Sequence, residues 1–316
     1  MDSEATTTIR VVCALLIFVP TLFGIVVLII ALVVFYFDWE TVRTNSFYLI
    51  MMQIMCSNTC ILLVFLYIAF PLILTGTQYM GDSYFLYYGP LFLEGVAFEA
   101  LLLLSFLLSI NRATIFFSPR LNAFLFSPEC TIKISLAVWV YIFTILIVHH
   151  LLGCEKEFSK DGFYIWDHCV HNAQGELHFS DFLYAQNHVV PPTMILLYIA
   201  IFIKIRMSRR ITPASANMRV EMSFLLQTVP LVVLLFIQVL DFKLVPRLNV
   251  KGYGRFLVTT GSNLVTIANS IAPAMVLLVF NRDLRKYVWQ VLCCKVVKVY
   301  QADTASRFGT QRVETV

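Results

Sequence analysis

The chain has 316 residues, of which 59% are hydrophobic and 13% charged, and its mean hydropathy is +0.80. Soluble domains carry about 25% charged residues, so this composition excludes an ordinary soluble enzyme and marks a membrane protein. The formal net charge of +4 reflects membrane topology and gives no nucleic-acid surface.

About 20 apolar residues are needed to cross the hydrocarbon as a helix. Seven runs qualify: 11–37, 46–74, 89–111, 131–153, 188–206, 222–240 and 256–280. They lack the alternation of a barrel strand, so an all-α membrane protein with a bundle of seven transmembrane helices is predicted. The first run follows a polar start and is too long for a signal-peptide core, so it reads as a spanning helix. Pro71, Pro191-Pro192, Pro230 and Pro273 predict kinks. No internal repeat accompanies them, which weighs against a transporter.

The third run, LLLLSFLLSINRA, stops on Asn111-Arg112. Arg112 is either a headgroup anchor or part of a switch. Glu94 and Glu99 are the acids placed inside a span, where a carboxylate is costly. Eighteen residues at 100° each put Glu94 on the Arg112 face, about 27 Å away. Phe98, Leu101, Leu102, Ser105 and Ser109 fill the stripe between them. Glu94 is then a pocket acid for a cationic ligand or a hydrogen-bonded carboxyl near the headgroups. Glu99 lies about 140° round the helix and is expected to face a neighbouring helix. Acids on different faces do not make a paired catalytic site, so no enzyme is predicted.

Residues 154–187 form the one long loop. Cys154 and Cys169 are expected to form a disulfide there on an oxidising face, closing a loop worth about 3 kcal/mol. All six histidines fall between positions 149 and 188. His168-Cys169-Val170-His171 has the look of a metal set, but Cys169 is better used in the disulfide and no fourth ligand is fixed. No metal or cofactor is predicted, and the histidines read as loop and interface residues.

With the amino terminus outside, nine loop cations from Arg43 to Arg219 and seven in the carboxyl tail fall on the cytoplasmic side, out of 23 Lys and Arg. This bias supports a cytoplasmic carboxyl terminus. Arg206, Arg209 and Arg210 close the fifth run, as anchors, as a docking surface, or both. After Asn281, Leu284, Tyr287, Val288, Val291 and Leu292 share a side among cations, predicting a short amphipathic eighth helix on the inner membrane surface. Cys293-Cys294 are palmitoylation candidates or plain thiols. The terminal Glu314-Thr315-Val316 offers a weak PDZ-domain contact.

Several segments together resemble nematode serpentine receptors of class X. They are NSFYLIMMQIMCSN at the second helix, ATIFFSPRLNAFLFSPECTIKIS after Arg112, EMSFLLQ from Glu221 to Gln227, RFLVTT, and VFNRDLRK from Val279 to Lys286. Cys154, Trp166 and Cys169 fit that family's second extracellular loop. The resemblance implies a rhodopsin-like chemosensory receptor for an extracellular small molecule, coupled to heterotrimeric G proteins in the plasma membrane of sensory neuron cilia. It divides the chain into an extracellular tail (1–10), a receptor domain (11–280) and a cytoplasmic segment (281–316). It makes Glu94, Phe98, Glu99 and Trp166 pocket candidates. Asn111, Arg112, Glu221, Arg206, Arg209 and Arg210 become candidates for switching and G-protein coupling. Glu221 would be the resting partner of Arg112. The chain departs from rhodopsin-like receptors in placing Asn111 where an acid is usual. It also lacks a cysteine at the third-helix start and an Asn-Pro-x-x-Tyr box. A seven-helix ligand-gated channel or transporter-like protein is the alternative.

Overall fold

The computed structural model describes residues 5–81, 83–159, 162–169, 179–209, 216–248, 250, 252–280, 285 and 288. Of residues 208, 209, 216–224, 246 and 247 it describes the backbone alone. Seven helices are long and apolar enough to cross a membrane: α1 (Thr7–Phe37), α2 (Ser46–Thr75), α3 (Tyr84–Phe117), α4 (Pro128–Leu151), α5 (Phe179–Arg209), α6 (Ala216–Leu244) and α7 (Tyr253–Phe280). A two-stranded antiparallel hairpin, β1 (Cys154–Ser159) and β2 (Tyr164–Cys169), joins α4 to α5. The expected amphipathic helix, Cys293, Cys294 and the terminal Glu-Thr-Val lie outside the described residues, with only Arg285 and Val288 of that region described.

Burial sets the order of the bundle. In its most apolar stretch α3 is 78% buried, against 28% for α4 and α5, so α3 is the central post and the other two face outward. The stripe from Glu94 through Phe98, Leu101, Leu102, Ser105 and Ser109 to Arg112 is buried along its whole length. Gly24 of α1 marks the closest approach at the α1–α2–α7 junction. A Cβ there would lie 2.5 Å from Ile271 and 2.7 Å from Leu62.

Two boundaries differ from the sequence reading. The helix containing Arg112 runs on to Phe117 and ends only where Ser118 precedes Pro119. A residue before proline is driven out of the α region, and Ser118 is extended at φ −149°, ψ 81°. Arg112 is therefore inside the helix, not at its end. Residues 179–187, expected as loop, are the first turns of α5. Their polarity misleads because Gln186 and Asn187 spend their amides on Glu99.

Pro71 also has a local consequence. It has no N–H for the carbonyl of Tyr67, four residues earlier. The chain takes a π turn over Phe65–Ala69, and the Tyr79 hydroxyl donates to the Tyr67 carbonyl at 2.6 Å. The freed acceptor is thus satisfied from outside the helix.

Gly24→Val should lower thermal stability of the reconstituted protein by about 1–3 kcal/mol through overpacking, whereas Gly24→Ala should cost less. Melting in nanodiscs, followed by intrinsic fluorescence, reads both.

Candidate functional site

A cavity of about 1450 Å³ opens at the hairpin end of the bundle. Its walls come from α3, α4, α5, α6, α7 and both strands. Phe92, Phe98 and Phe242 give it aromatic surface, and Phe98 and Phe242 approach to 5.9 Å between ring centres.

The hairpin is held over this cavity at three places. The Cys154–Cys169 disulfide closes its base across a directly paired register position. The backbone N–H of Phe158 donates to the Tyr87 hydroxyl of α3 at 2.9 Å. At the turn, the Asn263 amide of α7 donates to the Phe163 carbonyl at 2.6 Å. Phe163 is fully buried with φ +58°, its ring 4.8 Å from Phe256 and 5.5 Å from the Arg10 guanidinium. Strand alternation decides the rest: Cys154 and Phe158 are buried, and Lys156 between them points the same way.

Lys156 meets Glu94 at 2.7 Å. Its stem lies over Gly95, where the missing side chain leaves the room it needs. Burial alone would lower the lysine's pKa, but Glu94, then Asp167 and Glu99, more than offset this and raise it well above the ordinary lysine value of 10.5. The sign follows. A raised lysine pKa contributes stability below the ordinary value, and the contribution is lost only as pH rises through the elevated one.

Glu94 and Glu99 differ in their partners. Glu94 already has its cation in Lys156, which corrects the expectation that it waits for a ligand's charge. Glu99 is turned to α5, where Gln186 and Asn187 each donate to one of its oxygens at 2.9 Å. Although the two acids are angularly apart on α3, both line the same cavity. A central helix presents more than one face to a cavity of this width. Phe98 also lines the cavity, and Trp166 stands at its rim, 41% exposed and stacked on His168 at 5.2 Å.

The metal-like run has other uses. Cys169 is in the disulfide and His168 pairs with Glu157 at 3.3 Å, while His171 lies outside the described residues. The ligand atoms of His149, Cys154 and Cys169 come within 4.8 Å of one another, but both sulfurs are bonded to each other.

At the opposite end Arg112 is 2% exposed, its guanidinium carbon 4.8 Å above the Phe47 ring of α2. A headgroup anchor would be exposed, so the anchor reading fails. The Asn111 amide donates to the side-chain Oδ1 of Asn122 at 3.2 Å, and the Thr114 hydroxyl donates to the same oxygen at 3.0 Å. Asn122 belongs to the short helix Pro119–Leu125, so the residue standing in for an acid ties that helix to α3. Tyr198 of α5, also buried, is set beside Ser109 and Thr228 and within the field of Arg112. Arg206 is exposed on α5, while the Arg209 and Glu221 side chains and all of Arg210 lie outside the described residues.

Sequence reasoning missed Lys156, Asn187, His188 and Tyr198. Strand alternation between two cysteines was the available signal for Lys156. For the other three the signal was only a polar residue on an apolar helix.

These features define a class: a seven-helix membrane receptor with a hairpin-covered cavity joined by one central helix to a buried arginine. A family model described as serpentine type 7TM GPCR chemoreceptor Srx matches residues 18–281. The chain belongs to this family. A search of curated proteins returns no match.

Lys156→Met leaves Glu94 buried without its cation and should cost about 2–4 kcal/mol, somewhat below the ~3–5 kcal/mol of a fully buried pair because Lys156 keeps some solvent contact. The double variant Lys156→Met/Glu94→Leu should recover most of the loss. The stability that this pair gives the wild type should be full below the ordinary lysine value of 10.5 and should fall as pH rises above it toward the elevated one, a fall that Lys156→Met lacks. Melting curves of the three proteins across pH test both statements.

Proposed function

We propose that this serpentine receptor sits in the plasma membrane with its hairpin end outside and its carboxyl terminus inside. It binds an extracellular small molecule in the hairpin-covered cavity and passes the signal to a heterotrimeric G protein at the Arg112 end. The observation that carries this reading is α3, a single buried helix with Glu94 and Glu99 in the cavity and Arg112 buried at the other end. A ligand that shifts α3 at its acids moves Arg112 with it, because no break interrupts the helix between them. The disulfide at the hairpin base supports the outside assignment, since disulfides persist in oxidising surroundings.

In the resting state Arg112 packs on Phe47, and Glu221 of α6 is its proposed partner, a guanidinium–carboxylate contact that helix movement would break. Arg206, Arg209 and Arg210 form the docking surface. A short amphipathic helix after Asn281 would lie on the inner membrane surface with Cys293 and Cys294 acylated, and the cytoplasmic tail beyond it would offer the terminal Glu-Thr-Val for a weak PDZ-domain contact. Placement in sensory cilia follows the chemoreceptor character of the family.

The test is expression in cells with a G-protein readout and a screen of volatile and water-soluble cues. Arg112→Ala should reduce the evoked signal at least tenfold with surface level unchanged. A full response from Arg112→Ala would end the switch role, and an exposed carboxyl-terminal tag would end the G-protein reading. Asn111→Asp should lower basal signalling, because an acid beside Arg112 restrains it where the amide does not; equal basal activity would refute this.

A further inference from the structure

Several polar groups on the cavity wall have no hydrogen-bond partner among the described residues. Glu99 is 4% exposed and forms no ion pair among the described residues. A carboxylate can accept about four hydrogen bonds, and the two amide donors of α5 fill two. Because Glu99 only accepts, it fixes the Asn187 amide with nitrogen toward it. The Asn187 Oδ1 is then left buried and without a hydrogen-bond partner. His188, next along, directs Nδ1 at the Tyr184 carbonyl at 2.7 Å. A carbonyl only accepts, so Nδ1 carries the proton and Nε2 of the neutral ring is an acceptor, again buried and unpartnered. Glu99, Asn187 and His188 all line the cavity.

Two further observations point the same way. Ser262 of α7, 8% exposed, lines the same cavity with a hydroxyl that has no partner among the described residues. Of the acids that line the cavity, Glu94 and Glu99 are the two that are buried, and Lys156 is half-buried beside them. Lys156 is bonded to Glu94 and reaches Glu99 only through its field, leaving the remaining lone pairs of Glu99 without a donor. Buried acceptors left unpaired are costly, and a buried carboxylate with no ion pair of its own more so.

We propose that the cavity takes a small organic cation carrying several N–H donors, a primary amine or guanidine on an apolar body, with its head held by Glu99, Asn187 and His188. This rests on the reading of the cavity as the ligand site. Glu99 supplies the charge, and Asn187 and His188 take the remaining N–H groups. Phe98 and Phe242 receive the apolar body, while Ser262 answers a polar group on it. Glu94 stays with Lys156 and is not the ionic contact.

The test uses the full-length receptor in nanodiscs, with melting shifts and titrations for 2-phenylethylamine, tyramine and 2-phenylethylguanidine. The matched 2-phenylethanol, 3-phenylpropionate and phenethyltrimethylammonium are the controls. The amines and the guanidine should stabilise the receptor. The alcohol, the acid and the quaternary ion, which lacks N–H groups, should bind at least about tenfold more weakly. Glu99→Gln should weaken amine binding at least tenfold, and Asn187→Leu severalfold. Should Glu99→Gln fail to fold, the wild-type ligand series and Asn187→Leu still decide. Equal binding of the alcohol or the quaternary ion, no stabilisation by any amine, or wild-type affinity in Glu99→Gln would each overturn the proposal. Cell signalling separates the two readings. Amine binding without a G-protein signal would sink the receptor mechanism and leave the cation site standing. Signals from neutral cues that Glu99→Gln leaves untouched would sink the cation site and leave the receptor.

Discussion

The Glu94–Lys156 ion pair is the contact on which the upper half of the molecule depends. It joins the most buried helix to the hairpin, which Tyr87 and Asn263 also hold. Removing a carboxylate and an ammonium from water costs several kcal/mol each, and only their mutual attraction at hydrogen-bond distance offsets this. Given the pair, β1 must present Lys156 inward, so Cys154 and Phe158 must also face inward. The disulfide and the Tyr87 contact then fall into place along the same strand. The cavity is therefore a by-product of strand periodicity as much as of helix packing.

The other end is organised around a different constraint. Arg112 cannot reach headgroups, since the helix encloses it for five more residues and Phe47 covers it. The guanidinium over the Phe47 face gains a cation–π attraction in this buried setting. Asn111 has become a structural tie to the Pro119–Leu125 helix rather than a charge partner for its neighbour. One helix thus carries the Glu94 ion pair at its cavity end and the buried Arg112, set over the Phe47 ring, at the other.

Much of the architecture was legible because lipid imposes it: seven long apolar runs became seven helices, and the Glu94–Arg112 stripe emerged buried as 3.6-residue periodicity dictates. The Cys154–Cys169 pair was readable from spacing and compartment. Residues 179–187 were not, because a polar run looks the same whether it meets water or a buried carboxylate. The extension past Arg112 was missed for a related reason, since hydropathy falls there while the first real breaker is Pro119. Glu94 and Glu99 could be named but not told apart. Their difference lies in Lys156, Gln186 and Asn187, which are more than sixty residues away in the chain.

The π turn ahead of Pro71 has one more consequence. The Tyr67 carbonyl is held by a tyrosine hydroxyl from an exposed loop, a bond worth about 1 kcal/mol net, or roughly twice the thermal energy. Below the turn α2 is a continuous hydrogen-bonded rod; at the turn its stiffness drops to that of a single weak spring. Bending of α2 is therefore easiest at this turn, where one hydroxyl from outside stands in for the helix's own donor.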